Sequence, residues 1–387
     1  MQFIKESSPH LHRKDSINRM LGDVLIALSP VIIFTFISYG VLALRNYLMA
    51  IVAIVPAEII YVLIRNKIPY DGTKHSLKEH IKTGWKKYQL SNLLSSLVTA
   101  VIFAMVMPVA TEPGWLIYIA LFFGGLFGIV IGKLVFGGTG SNIFNPAVVG
   151  MLFAKLCFGS RYIYPSTWYM ETGNAVLTGG TPLTALAENS HAGVNSFIGQ
   201  FSNLSASPIL DLLLGRVPGV MGEAFKIAIL IGLVYLILRR AADWRVVVSY
   251  LGFFTVVMAI AGIFVVVKIP SVNYFEFVAF QLLSGGVLFG AVYMLTDPVT
   301  MPINEPGRYL YGVVAASITC IIRLFGAFPE GVAFSILLAN MLSPLIDYPK
   351  WGNQAFTKKK VLVIIGVMAA TLLIVSLTLA FAPEVAA

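Results

Sequence analysis

Long apolar runs constrain this chain more than any other feature. They recur at about 22–40, 43–63, 91–109, 115–135, 143–158, 223–238, 245–267, 279–296, 308–324, 330–347 and 361–381. A run of roughly 20 apolar residues is what a helix needs to cross the hydrocarbon core of a bilayer. In lipid, backbone polar groups must be satisfied internally, which leaves helices or closed barrels. The eleven runs therefore predict an all-α polytopic membrane protein with eleven candidate spans. Composition agrees: 58% of the 387 residues are hydrophobic and 12% charged, against about 25% charged in an average soluble domain. Mean hydropathy is +0.84. Formal net charge is +9, but the bases sit in short loops beside apolar runs. They read as orientation signals, and no nucleic-acid partner is expected; the partner surface is membrane lipid. No cleavable signal peptide is evident, because the first apolar run starts near Leu21 behind a polar head. Cys157 and Cys320 fall inside apolar runs and form no CxxC, so they read as small hydrophobes and no metal site is predicted.

Lysine and arginine set the expected orientation. The most basic loop, 64–90, carries Arg65, Lys67, Lys74, Lys78, Lys82, Lys86 and Lys87. Its spacing suits a surface amphipathic helix, with Leu77, Ile81, Trp85 and Tyr88 on lipid headgroups. With a cytoplasmic N-terminus, that loop, Arg239, Arg240, Arg245, Lys350 and Lys358 to Lys360 all fall inside. The long polar segment around Thr181 then lies outside. Trp115, Trp168 and Trp244 sit where an interfacial belt would.

An internal repeat is visible at an offset of about 190 residues. Asp23 to Pro30 resembles Asp211 to Pro218, Leu93-Leu94-Ser95 resembles Leu282-Leu283-Ser284, and Met105 falls on Met294. Glu112-Pro113-Gly114 matches Glu305-Pro306-Gly307, and Lys133 with Phe136-Gly137 echoes Arg323 with Phe325-Gly326. Each half holds five runs, an odd number, so the second copy enters from the opposite face. The predicted architecture is two inverted five-helix repeats plus one extra C-terminal transmembrane helix. Its parts are a cytoplasmic segment (1–20), the first repeat (21–158), an external loop (159–222), the second repeat (223–347) and a basic loop with the extra helix (348–387).

Three polar stretches are candidates for chemistry. Residues 136–147 bring glycines that allow close backbone approach, and Asn142 and Asn145 offer amides suited to a planar heterocycle; the same residues also suit a helix-breaking turn with capping asparagines. Residues 295–302 hold Asp297 at the end of a run, where a carboxylate is either functional or simply solvated. In Thr178-Gly179-Gly180-Thr181-Pro182, the glycines allow a tight turn and the proline biases Thr181 to an extended conformation. Such a threonine presents its hydroxyl to an external enzyme, although the same pattern occurs in ordinary turns. Arg323 and Glu330 are expected to pair and fix their loop. Glu58, Glu223 and Lys226 read as isolated charges reaching toward the interface.

Taken together, these stretches resemble the D subunit of Rnf ion-translocating electron-transport complexes and, more distantly, the B subunit of the sodium-translocating NADH:quinone reductase. The resemblance is carried by Ser8-Pro9-His10 leading to Asp23, by 136–147, by 178–183 followed by 210–219, and by 296–302 with 323–344. It implies FMN attached through a phosphoester to Thr181, preceded by Thr178, Gly179 and Gly180, the last standing where alanine is usual. A separate flavin transferase would make that bond outside the membrane. It also implies a noncovalent riboflavin near Asn142 and Asn145, with Asp297 in the same neighbourhood. The implied protein is one component of a ferredoxin:NAD+ oxidoreductase in the bacterial cytoplasmic (inner) membrane. It is not catalytic alone, acts with the A, B, C, E and G subunits, and couples electron flow to Na+ or H+ translocation. The alternative is an inverted-repeat secondary transporter without a cofactor.

Overall fold

Short polar residues decide where several helices begin. The Ser16 hydroxyl accepts the Arg19 amide at 3.2 Å, and the side chains of Asn145, Asn273 and Asn304 cap three later helices in the same way. Each gives a partner to an amide that the first turn leaves without one. The computed structural model describes residues 16–66, 77–163, 183, 208–217, 219–268, 273–326, 330–348 and 354–381.

The first half comprises α1 (Ile17–Tyr39), α2 (Val41–Arg65), α3 (Leu77–Lys86), α4 (Leu90–Val106), α5 (Leu116–Ile129, extended by a π-helical turn Val130–Leu134) and α6 (Pro146–Phe158). Two short helices, α7 (Pro208–Leu214) and α8 (Met221–Ala224), lead into α9 (Lys226–Arg239). Then follow α10 (Trp244–Lys268), α11 (Tyr274–Leu283), α12 (Val287–Phe289, with a π-helical turn Gly290–Met294), α13 (Glu305–Phe325), α14 (Val332–Ile346) and α15 (Lys358–Phe381). A two-residue antiparallel pairing of Ala110–Thr111 with Tyr162–Ile163 is the one sheet among the described residues.

Six of these helices are long and apolar enough to span a membrane, and two bent pairs raise the number to eight. Eleven apolar runs therefore do not make eleven full spans. The runs at 143–158, 223–238 and 330–347 form α6, α9 and α14, of 13, 14 and 15 residues. At 1.5 Å per residue these are about 20–22 Å long, against a hydrocarbon core of about 30 Å. Asn145-Pro146 and Phe225 set the starts of α6 and α9 inside apolar runs that a count of run length treats as continuous. The basic loop contains the expected amphipathic helix. α3 meets α4 at 84°, and its Ile81 and Trp85 are exposed.

Packing repeats between the halves. In the first, α2 lies against α4 and α5, and α5 against α6; in the second, α10 lies against α11 and α13, and α13 against α14. Across the halves, α1 packs on α9, and α6 on α14. Both cross-pairs run antiparallel. Asp23 near the start of α1 accepts from Tyr235 (2.9 Å) and Arg239 (3.2 Å) near the end of α9, while Phe34 stacks on Phe225 at the other end. Lys155 near the end of α6 meets Glu330, just before α14, at 3.8 Å. Of the repeat pairings read from the sequence, Glu112-Pro113-Gly114 with Glu305-Pro306-Gly307, and Lys133 with Arg323, fall on matching places at the starts and ends of α5 and α13. Two pairings do not. Leu93 to Ser95 lie near the start of α4 but Leu282 to Ser284 at the end of α11, and Asp211 lies in the separate seven-residue α7, not in a long helix like α1 that carries Asp23. The last helix, α15, packs on α10 and α13.

Candidate functional site

The two polar breaks at 136–147 and 295–302 follow the two π-helical turns directly. Such turns are rare and concentrate at functional sites. After the first, Gly137, Gly138 and Gly140 all adopt positive φ. A Cβ on Gly138 would stand 3.0 Å from the Tyr61 ring, so the turn needs glycine there. Thr139, carried on that turn, donates to Glu58 at 2.9 Å. Glu58 holds Lys133 at 3.0 Å, and both side chains are buried. Lys133 also donates to Ser95 Oγ of α4 at 3.0 Å. A buried ion pair of this kind persists only where further hydrogen bonds satisfy it, and Thr139 and Ser95 supply them.

Asn145 ties the two breaks together. Its oxygen caps α6 through the Ala147 amide (3.1 Å), and its nitrogen donates to the Met294 carbonyl at the end of the second π-turn (3.4 Å). Asn142 donates to the Phe144 carbonyl at 3.2 Å. Asp297 accepts the Val299 amide at 3.1 Å. Desolvation raises the Asp297 carboxyl above the ordinary aspartate range, against the opposing pull of the Val299 amide and Lys133. All three residues and Lys133 line one cleft of about 340 Å³, whose apolar wall includes Val98, Ile102, Leu236 and Val292. That volume lies in the range of small-molecule sites, about 300–1,000 Å³, and the mixture of apolar walls with a few convergent polar groups is typical of them.

A second polar assembly sits at the other end of the same helices. α6 carries Asn145 at the cleft and Lys155 at this cluster, about 15 Å along the helix. α9 likewise has Leu236 at one end and Lys226 at the other. Here Gly285, with φ +62°, marks the bend between α11 and α12. Lys226 donates to the Glu223 and Gly285 carbonyls. Arg323 donates to the carbonyls of Gln281 (2.5 Å) and Ser284 (3.4 Å). Leu183, buried at 2% exposure, covers the bend: a Cβ on Gly285 would stand 2.7 Å from its Cδ1. The space left here is about 20 Å³.

The profile of the NQR2, RnfD, RnfE family matches residues 4–351. The chain belongs to that family. It is 36% identical over 253 residues to the B subunit of a Na(+)-translocating NADH-quinone reductase from Chromohalobacter salexigens, covering 65% of this chain and 57% of that one. It is 29% identical over 361 residues to the D subunit of an ion-translocating oxidoreductase complex from Alcanivorax borkumensis, covering 90% of this chain and 95% of that one. The corresponding D subunit from Vibrio vulnificus is 29% identical over 387 residues, with 90% and 98% covered. The chain thus spans little more than half of the quinone-reductase relative and nearly all of the two oxidoreductase-complex relatives.

In this member of the NQR2, RnfD, RnfE family, the structure brings Asn142, Asn145 and Asp297 together at one cleft. Thr178, Gly179, Gly180 and Thr181 lie outside the described residues. Several charges differ from the sequence expectation. Glu58, Glu223 and Lys226 are buried rather than reaching for the interface, because each has polar partners inside the protein. Arg323 binds the carbonyls of a bent helix instead of Glu330, and Glu330 pairs with Lys155. Cys320 is buried, but Cys157 is on an exposed face of α6. Nothing in the local sequence of Lys133 or Ser95 marks it as a site residue, and Thr139 lies in the 136–147 stretch without being singled out. The signal that could find two of them is the repeat itself, which aligns Lys133 with Arg323 and Ser95 with Ser284.

Proposed function

We propose that this chain is the D-type membrane subunit of an Rnf-type, redox-driven ion pump, a ferredoxin:NAD+ oxidoreductase of the bacterial cytoplasmic membrane. Near end-to-end correspondence with the oxidoreductase-complex relatives, against little more than half of the quinone-reductase relative, supports this type. On this reading it works with the A, B, C, E and G subunits, and electron passage across it is coupled to Na+ or H+ movement. The observation that carries the reading is a pair of sites joined by the same helices. One is a cleft with room for a heterocycle. The other, about 15 Å away along α6, is the bend covered by Leu183, two residues beyond Thr181.

The residues at the cleft fit a flavin. Asn142, Asn145 and Asp297 provide donors and acceptors for the polar edge of riboflavin, and Val98, Ile102, Leu236 and Val292 provide apolar contact for its rings. FMN would hang from Thr181 by its phosphate, in the motif begun by Thr178, Gly179 and Gly180, after attachment by a flavin transferase on the external face. When bound, flavins supply one- and two-electron transfer. The chain holds and orients them, and Lys133, fixed by Glu58 and Ser95, places a cation at the cleft wall. The antiparallel α1–α9 and α6–α14 pairs support two inverted repeats meeting between the two sites.

The test is a denaturing gel viewed under ultraviolet light, with protein made alongside its flavin transferase. The parent band should fluoresce and the Thr181→Ala band should be dark. A dark parent band would defeat the covalent flavin and favour the cofactor-free transporter. Redox-driven ion uptake into vesicles unaffected by Thr181→Ala would defeat the electron path through it.

A further inference from the structure

A second cavity, also of about 340 Å³, lies where α13 begins, α14 ends and α15 begins. Its wall is formed by Pro306, Leu310, Leu345, Ile346, Val363 and Ile364. Two of these belong to α15, which falls beyond the residues matched by the family profile. The extra helix therefore builds a cavity that the family core alone would not have. Leu345 beside it and Leu362 on α15 are each 66% exposed, so the cavity opens sideways toward the surrounding lipid.

Lys360 is the charged residue among those lining this cavity. α15 opens with Lys358-Lys359-Lys360 and then runs apolar to Phe381, which sets the three lysines at headgroup level. Lys360 lines the cavity and is only 6% exposed. Lys358 and Lys359 are exposed, and neither has an acid partner among the described residues. The nearby acids are engaged elsewhere. Asp347 accepts the Ile303 and Asn304 amides at 2.8 and 3.3 Å, and Glu305 pairs with Arg245 at 2.9 Å. An apolar slot open to lipid beneath a lysine cluster suits a molecule with an anionic head and a hydrocarbon tail.

We propose that this cavity is a binding site for one acidic phospholipid, with an acyl chain against Leu310, Val363 and Ile364 and its phosphate on Lys358 and Lys359. The site does not depend on the redox reading of the cleft. It makes α15 a lipid-sealed addition to the α10–α13 face.

Native mass spectrometry of the full-length protein, titrated with phosphatidylglycerol and with phosphatidylcholine of the same acyl chains, tests it. One phosphatidylglycerol should be retained per chain, about tenfold or more tighter than the choline lipid. Lys358→Gln with Lys359→Gln should remove that preference. Val363→Trp, which fills the slot without changing charge, should displace the lipid. Leu345→Trp provides a second filler if circular dichroism shows that Val363→Trp fails to fold. Equal retention of both lipids would overturn the site. So would undiminished phosphatidylglycerol binding in a folded slot-filling variant, which would mean loose surface attraction only. A co-purifying quinone or tightly held partner helix in the slot would overturn it as well.

Discussion

The cleft and the charge cluster are made from corresponding parts and end in opposite states. Each uses a cation near the end of a long helix, Lys133 on α5 or Arg323 on α13, and each cation reaches a serine position aligned by the repeat. Lys133 takes the Ser95 hydroxyl; Arg323 takes the Ser284 backbone carbonyl. The difference lies in what else is present. At the cleft, Glu58 neutralises Lys133 from behind, and the two breaks border about 340 Å³ of open space. At the cluster, a bent helix turns its carbonyls onto Arg323 and Lys226, Leu183 sits against Gly285 of the bend, and about 20 Å³ remains.

Removing the acid at each site should break the comparison most sharply. Glu58→Ala strands the buried Lys133 charge and should cost about 3–5 kcal/mol, read as a large fall in thermal midpoint in detergent. Glu223→Ala leaves Lys226 on two backbone carbonyls and should cost about 1–3 kcal/mol. Equal losses would show that the two cations are held alike.

Glycine substitutions sharpen the same contrast at intermediate size. Gly285→Ala sets a methyl 2.7 Å from Leu183 at positive φ, for a packing cost of about 1–3 kcal/mol on top of backbone strain. Gly140→Ala meets nothing within 4 Å and should show only the strain of its positive φ, about 1–2 kcal/mol. Thermal unfolding of the two variants side by side decides the order, and a larger loss at Gly140 would count against a loose cleft.

The smallest effect concerns acidity at the cleft. Because burial raises the Asp297 carboxyl, the folded state binds this proton more tightly than the unfolded state. Its contribution to stability is therefore fully present below the unfolded value of about 3.9 and is lost as pH rises toward the folded value. Asp297→Asn lacks that dependence, so its thermal midpoint should gain on the parent's as pH rises above about 4. A gap independent of pH would mean that the carboxylate is solvated.

Hydropathy makes the helical class legible, and the asparagines and glycines of 136–147 mark the cleft in the sequence itself. What they do not show is which charges face one another. Glu58 and Lys133 are 75 residues apart in the sequence, and no local pattern distinguishes an inward carboxylate from one reaching the interface. Span length is hidden for a related reason. Asn145-Pro146 and Phe225 begin helices by conformation, not by polarity alone, so apolar runs overstate α6 and α9. The repeat aligns Ser95 with Ser284, yet a hydroxyl does one task and a carbonyl the other, a difference in backbone path that residue identity does not encode.

The shortness of α6, α9 and α14 has an electrical consequence. A span of about 20–22 Å is shorter than the hydrocarbon core of about 30 Å and thins the bilayer around it, so with α6, α9 and α14 crossing, the voltage would fall most steeply there. An elementary charge displaced from one site to the other would cross most of that drop, worth up to about 2.3 kcal/mol for every 100 mV, although it travels only about half the thickness of the surrounding bilayer.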